Sequence, residues 1–445
     1  MHDDALRFGA NYTPARGWFH HWLDFDLDEV RADLDSIAAL GLDHIRVFPL
    51  WPVFQPNRTL IRPRAVEQLV ALADAAAERG LDVNVDGLQG HLSSFDFLPA
   101  WTRTWHRRSI FTDPDVVAGQ EEYLRTLAAA LAGRPNFLGM TVGNEINQFS
   151  DAPHPDPDRI TPDQAARWLE RMLAACEEGA PGRLHLHAEY DAAWYRDGHP
   201  FTAAQAARMG AATAVHSWVF NGTAQRHGGS GAATEHHAAY LIELSKAWAL
   251  DPHRPVWLQE VGAPAPLIPP DRAARFTEAT VANALDCPDV WGVTWWCSHD
   301  VSRGLADFPE LEYGLGLLTN DRRTKPAGAA IARITEEWRG RAHRPALRTT
   351  ALAVDVREDL GEGLTAGITV DVGGVPGGNG RVPGGAAEAA PGRSVCAPGG
   401  AFFEAWATLA ARGVRPAVVL AEHAADPAHL AARGITEVLR VHDVT

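Results

Sequence analysis

Lysine is almost missing from this chain. Of its 40 basic residues all but Lys246 and Lys325 are arginine, a bias that reads as base composition of the coding sequence rather than function. Positive charge is also outnumbered, with 56 acidic residues leaving a formal net charge of −16. Such a surface repels nucleic-acid phosphates and anionic headgroups, so neither nucleic acid nor membrane is expected as a partner. Cysteine is sparse. Cys176, Cys287, Cys297 and Cys396 are widely spaced and form no CxxC pair, which argues against a disulfide framework or a zinc knuckle. No apolar run approaches the ~20 residues of a membrane-spanning helix. The first residues, MHDDALRFGANY, carry neither the basic nor the apolar segment of an export signal. The expectation is a cytoplasmic protein with reduced thiols.

What is present is an ordinary globular composition, 46% hydrophobic and 22% charged over 445 residues, long enough for a large barrel and a smaller unit. Short apolar runs recur at 7–12, 44–51, 82–87, 136–145, 184–190, 213–219, 255–261 and 290–297. They read as eight strands, near-continuously apolar as parallel strands buried on both faces should be. Helix-like segments alternate with them. Thr161-Pro162-Asp163-Gln164 is a capping box with proline at the first helical position. Asp113-Pro114 opens another helix, in which Val117, Leu124, Leu127 and Leu131 share one face. Eight strand–helix repeats predict an α/β fold, a (β/α)8 TIM barrel over residues 1–340. A small C-terminal α/β domain is expected over 341–445. It would have strands at 350–356, 368–372, 416–421 and 435–441, helices at 401–412 and 427–433, and a Gly/Pro-rich loop at 373–400. Gly399-Gly400 ahead of a helix could cradle an anion, but packing or a homo-oligomer contact is the stronger expectation for this unit.

A TIM barrel builds its active site at the C-terminal ends of its strands. There the sequence offers Arg46 and Trp51, then Asp86, Gln89 and His91, then Asn144 and Glu145. It goes on to Glu189 and Asp191, His216 and Trp218, Glu260, and finally Trp295, Trp296, His299 and Asp300. Glu145 and Glu260 stand out because each ends a strongly apolar strand, where a carboxylate costs free energy unless it is used or paired. The fourth and seventh strands lie roughly across the mouth from each other. Two carboxyls facing each other over a cleft are the equipment of glycoside hydrolysis: one donates a proton, the other attacks. Their surroundings must push the two pKa values apart.

These residues resemble the retaining glycoside hydrolases of family 5, in the large (β/α)8 clan. Gly143-Asn144-Glu145 and Gln259-Glu260 match its two catalytic glutamates, and Arg46 in HIRVFP, His91, His216 and the tryptophans of VTWWCSHD fit as well. The match spans about residues 7–340. The resemblance implies Glu145 as general acid/base and Glu260 as nucleophile. It implies Asn144 on the sugar 2-hydroxyl, and Arg46 holding Glu260 ionised. His91 and His216 would border the subsite of the reacting sugar, and Trp295 or Trp296 would floor it. Trp51, Asp86, Gln89, Glu189 and Trp218 complete the candidate substrate-binding residues. The family's usual His-x-Tyr on the sixth strand is here His216-Ser217-Trp218. An indole donates one hydrogen bond and accepts none, so either Trp218 has another part or Tyr190 or some other donor replaces the tyrosine.

The longer words NYTPARGWFHHWLDFDLDEV and NVDGLQGHLSSFDFLPAWTRTWHRRSIFTDP are similar to subfamily 18, which implies a β-mannosidase releasing mannose from Man-β-1,4-GlcNAc, the core disaccharide of N-glycans. Aromatic and polar loops after the first and third strands, Trp18 to Trp22 and Phe95 to Arg108, would wall a pocket suited to a small oligosaccharide substrate, with about half of the aromatics in core. No cofactor and no metal are expected. The alternatives are an endo-β-mannanase or β-glucanase of the same family, a non-catalytic sugar-binding barrel, and a metal-dependent hydrolase using His185-x-His187. The last is disfavoured because that pair lies early in its strand, away from the active face.

Overall fold

A computed structural model describes residues 6–356 and 392–444. Eight parallel strands run in chain order around a barrel: β1 Arg7–Asn11, β2 His44–Val47, β3 Asp82–Asp86, β4 Phe137–Asn144, β5 Leu186–Ala188, β6 Thr213–Ser217, β7 Val256–Val261 and β8 Val290–Trp295. β1 pairs with both β2 and β8, so the first and last strands meet. At the one seam without a strand ladder, between β5 and β6, the Ala211 N–H donates to the His185 carbonyl at 2.8 Å. A helix follows each strand: α1 Leu27–Ala38, α2 Pro63–Ala77, α3 Pro114–Leu131, α4 Pro162–Gly179, α5 Ala203–Arg208, α6 His237–Lys246, α7 Ala273–Leu285 and α8 Pro326–Trp338.

Each observed strand starts or ends within a few residues of its predicted run. The expected run at 44–51 is cut to His44–Val47, because Pro49 and Pro52 end the ladder and Trp51–Phe54 turns into a helix. The predicted caps form. Asp113 accepts from the N–H groups of Asp115 and Val116, and Thr161 and Gln164 cap each other reciprocally. On α3 the buried stripe holds Val117, Leu124, Leu127 and Leu131, as the period required.

After α8, β9 Thr350–Val354, β10 Ala417–Leu420 and β11 Glu437–Leu439 form a parallel sheet with β9 in the middle. The helices α9 Ala401–Ala411 and α10 Pro427–Ala432 accompany it. The run expected at 368–372 and most of the Gly/Pro-rich loop lie outside the described residues. This unit shares its core with the barrel: Phe402, Phe403 and Trp406 pack on Tyr240 of α6, whose hydroxyl donates to the Cys396 carbonyl at 2.7 Å. Gly399 does not face an open cradle. A side chain there would collide with the Arg226 guanidinium, which the barrel lays against it. All four cysteines are buried free thiols, and no described helix is long and apolar enough to cross a membrane.

Candidate active site

Arg46 organises the mouth of the barrel. It is fully buried, at the end of β2. Its Nη1 donates to Glu260 Oε1 at 2.7 Å and to Asn11 Oδ1 at 3.2 Å. Its Nη2 donates to Asn144 Oδ1 at 2.8 Å, and Nε to Asp86 Oδ2 at 3.1 Å, an oxygen that Nη2 also contacts. One guanidinium thus ties β1, β2, β3, β4 and β7 together through its planar fork of donors. Asn11 extends the lacing, donating to the carbonyls of Gln259 and Trp295.

Glu260, at the end of β7, has both oxygens occupied. Oε1 takes the Arg46 bond, and Oε2 accepts from Trp218 Nε1 at 3.1 Å. That resolves the departure on the sixth strand. His216, Ser217 and Trp218 alternate, so His216 and Trp218 share the inner face while Ser217 bonds His237 of α6 outside. The indole delivers the hydrogen bond a tyrosine would. Glu260 Oε2 takes its bond from Trp218 and not from Tyr190.

Glu145 follows β4 in a left-handed backbone conformation, φ 45° and ψ 36°, which costs a non-glycine residue about 1–2 kcal/mol. The turn aims its carboxyl into the mouth instead of continuing the strand. Gly143 beside it is required for space, since a Cβ there would lie 2.2 Å from the Leu88 carbonyl oxygen. Glu145 Oε2 accepts from Gln148 Nε2 at 2.7 Å, and Oε1 lies 2.8 Å from His216 Nδ1. A carboxyl oxygen of Glu145, one of Glu260 and a ring nitrogen of His216 all lie within 4.8 Å of one another.

Burial pushes the Glu260 carboxyl above its usual range and the charge of Glu145 adds to this, against His216 and Arg46. Burial raises Glu145 too, but the His216 ring, with help from His91 and Gln148, brings it below its usual value. His216 is lowered by burial yet ends above the ordinary histidine value, because both glutamates face it. Geometry decides where a proton of this cluster sits. Guanidinium and indole only donate, so both contacts to Glu260 favour its ionised form. His216 Nδ1 can both give and take. The proton therefore belongs to the Glu145–His216 pair, and Glu260 is the ionised partner.

The remaining expected residues divide. His91 keeps a partly exposed ring whose charge acts on Glu145, while its carbonyl accepts from Asn144 Nδ2 at 2.7 Å. Trp296 faces the mouth, edge-on to Trp218 and Phe48. Several others are corrected by the structure. Trp51 is a core residue, edge-on to Trp101, with its indole N–H on Gln55 Oε1 at 2.7 Å. Gln89 is fully buried, accepting from the Trp51 N–H and donating to the Asp86 carbonyl. Asp86 is fully buried behind Arg46; burial pushes its carboxyl up to about 6 against that cation. Glu189 is consumed by His187 Nδ1 at 2.5 Å. Trp295 is a core residue, and Thr294 next to it bonds His44 and Trp257. His299 and Asp300 serve the loop after β8, bonding the Thr13 carbonyl and Lys325. Of the loop aromatics, Trp18, Phe19, Trp22 and Trp101 are buried, while Trp105 is fully exposed.

Sequence reasoning missed Gln148, Asn11 and Glu312. Glu312, in the loop after β8, accepts from Ser93 Oγ at 2.9 Å. Burial lifts its carboxyl to about 7, and the charges of Glu260 and His91 bear on it. It lies in no apolar strand, so nothing in the sequence marked it. The Ser93–Glu312 bond joins the loops after β3 and β8.

The Glu145–His216–Glu260 trio has ligand types that suit a metal ion, but both Glu260 oxygens already accept from Arg46 and Trp218, and the adjacent guanidinium repels a cation. His185 and His187 form no ligand pair. His185 Nδ1 accepts from the Met140 N–H and Nε2 faces the Ala180 carbonyl, while His187 is held by Glu189.

No family model matches the chain, and no curated protein matches it. Solved structures do. A glutamate-to-alanine variant of GH5_18 from Streptomyces cattleya, in complex with Manb1-4GlcNAc, is 70% identical, with TM-score 0.91, over 99% of this chain and 100% of that one. GH5_18 from Bifidobacterium longum subsp. infantis is 42% identical, TM-score 0.89, over 98% of this chain and 96% of that one. A second glutamate-to-alanine variant in complex with Manb1-4GlcNAc, from Bifidobacterium longum subsp. longum, is 41% identical, TM-score 0.88, with 98% and 96% covered. With a barrel of this topology, two glutamates at the ends of β4 and β7 and identity of this extent along its whole length, the chain belongs to glycoside hydrolase family 5, subfamily 18.

Proposed function

We propose that this protein is a β-mannosidase that releases mannose from Man-β-1,4-GlcNAc by double displacement. The observation that carries the mechanism is the approach of the two carboxyls. Oxygens of Glu145 and Glu260 within 4.8 Å suit direct attack, for which carboxyls stand about 5–5.5 Å apart. An inverting enzyme needs about 6.5–9.5 Å to admit water. The disaccharide is suggested by what two of the similar enzymes hold, Manb1-4GlcNAc.

Glu260 attacks the anomeric carbon while Glu145 protonates the departing glycosidic oxygen. A glycosyl ester of Glu260 forms and GlcNAc leaves. Glu145, now ionised, takes a proton from water, which opens the ester and frees mannose with retained configuration. Arg46 and Trp218 keep Glu260 an anion and aim it. Asn144, with one amide N–H left after its bonds to Arg46 and His91, is the donor to the sugar 2-hydroxyl. The Ser93–Glu312 bond, which ties the loops after β3 and β8 together, favours a pocket and hence release of a terminal sugar.

The test is product chromatography with Man-β-1,4-GlcNAc, mannobiose, cellobiose and lactose. Mannose and GlcNAc released selectively from the first is the expected result. Cleavage of one of the others alone overturns the substrate assignment and leaves the two-glutamate mechanism standing.

A further inference from the structure

A row of buried amides and hydroxyls runs down the barrel axis below His216 and takes no part in the steps above. Its lower end is a backbone carbonyl, Gly139 O, which can only accept. Asn84 Nδ2 donates to it at 3.0 Å, which turns Asn84 Oδ1 to Thr141. The Thr141 hydroxyl donates to that oxygen at 2.8 Å, and so accepts from Gln259 Nε2 at 3.1 Å. Gln259 Oε1 is then left facing His216 Nε2 at 3.2 Å. Every link follows from the one before, because an amide has one accepting and one donating end. Asn84, Thr141 and Gln259 are fully buried, out of reach of bulk solvent.

We infer that Asn84, Thr141 and Gln259 are positioning residues that hold the His216 Nε2 proton in place, so that His216 Nδ1 and Glu145 carry a single proton between them. That proton is the one Glu145 delivers. It passes from Nδ1 to the Glu145 carboxylate, or is already there, and then to the glycosidic oxygen as the C–O bond breaks. His216 is left neutral, with the Nδ1 lone pair facing an ionised Glu145. This contact is repulsive and makes Glu145 a stronger base, so it takes back a proton from the attacking water. One proton leaves the pair in the first half-reaction and one returns in the second. With the opposite tautomer, Nδ1–H would stabilise the Glu145 carboxylate, leaving it less protonated at rest and a weaker base towards water. The groups that set the proton affinity of His216 are Glu145 on the β4 end, Glu260 on β7 and Arg46 on β2. Asp86 on β3 and Asp191 after β5 feel its charge in turn. The inference rests on the proposed acid/base role of Glu145.

The test is Thr141→Val, which keeps the shape and cuts both neighbouring links, with Thr141→Ser as the conservative control. Two substrates separate positioning from damage. Man-β-1,4-GlcNAc needs its leaving oxygen protonated; 2,4-dinitrophenyl β-mannoside does not. For Thr141→Val we expect kcat/KM on the disaccharide to fall ~10-fold or more, a part of the 10²–10⁴-fold worth of a general acid. The aryl glycoside should lose less than ~3-fold. The alkaline limb of the disaccharide pH profile should move down, and Thr141→Ser should restore both. Nitrogen-15 NMR of wild-type His216 should show Nε2 protonated across the active range. Equal losses on both substrates, no loss on either, or a neutral Nδ1–H tautomer overturns the inference. Should Thr141→Val fail to fold, Gln259→Leu with the same two substrates and the NMR readout on wild type decide it. If wild type ignores mannosides but cleaves another sugar, the substrate proposal fails, and the same pair of leaving groups on that sugar still tests the relay.

Discussion

Among the described residues two buried arginine–carboxylate clusters stand out, and of these two one is built for chemistry. At the mouth, the single guanidinium of Arg46 faces Asp86 and Glu260, with Glu145 and His216 close by. At the seam with the C-terminal unit, two arginines close on one glutamate of α6: Arg348 Nε lies 2.9 Å and Arg433 Nη2 3.5 Å from Glu243. The seam has positive charge to spare and no imidazole against the carboxylate. The mouth has more carboxyls than cations, so a proton must be held somewhere, and His216 provides a place for it. Burial of charge alone therefore marks neither stability nor catalysis. What separates the two is an unbalanced proton beside a cleft.

The largest effect should come from breaking the mouth at its attacking group. Glu260→Gln should lower kcat by at least ~10⁴-fold, as loss of a nucleophile does, and the Glu260→Ala enzyme with azide should yield glycosyl azide of inverted configuration. Wild-type turnover by either variant would remove Glu260 from the mechanism. The seam should answer the opposite way. Glu243→Gln leaves two buried arginines short of charge and should cost about 3–5 kcal/mol of stability in chemical denaturation, the range for breaking a buried pair. kcat of the folded fraction should be unchanged. A fall in kcat without loss of stability would erase the distinction between the clusters.

Smaller effects sharpen it. Trp218→Phe removes one donor to an ionised oxygen, about 1.5–3 kcal/mol, so kcat should drop ~10–100-fold with KM little altered in steady-state assays. Least disruptive is pH. Activity needs Glu260 ionised, and its pKa is raised, so the rate should fall as pH drops through a value above the usual carboxylate range. Activity also needs the proton of the Glu145–His216 pair, and His216 is raised, so the alkaline limb should lie above the ordinary histidine value. His216→Asn should move that limb. A wild-type profile flat from pH 5 to 9 would contradict the shared proton.

Much of this was legible beforehand because apolar period and cap chemistry are local. Eight buried strands, the Asp113 and Thr161 caps and the two glutamates ending apolar runs could be read from neighbouring residues. Trp51 misled because its aromatic face is equally at home on a sugar or in a core, and only the position of Trp101 and Gln55 decides. Trp218 was undecidable, since its single N–H needed a partner from a strand 42 residues away.

The sequence by itself determined a (β/α)8 barrel and singled out Glu145 and Glu260, since each ends an apolar run and burial there demands a use, while Arg46 and His216 were marked by the family resemblance. Tertiary structure decided how they act. Gln259 bonds to Thr141 inside the barrel and Glu260, its neighbour, to Arg46 at the mouth, although strict alternation puts consecutive residues on opposite faces. The ladder slips one register between Val215 and His216 and again between Val293 and Trp295, and Glu145 turns through a left-handed backbone. Such slips are set by packing between strands far apart in the chain, and they alone bring both carboxyls and the imidazole to one point.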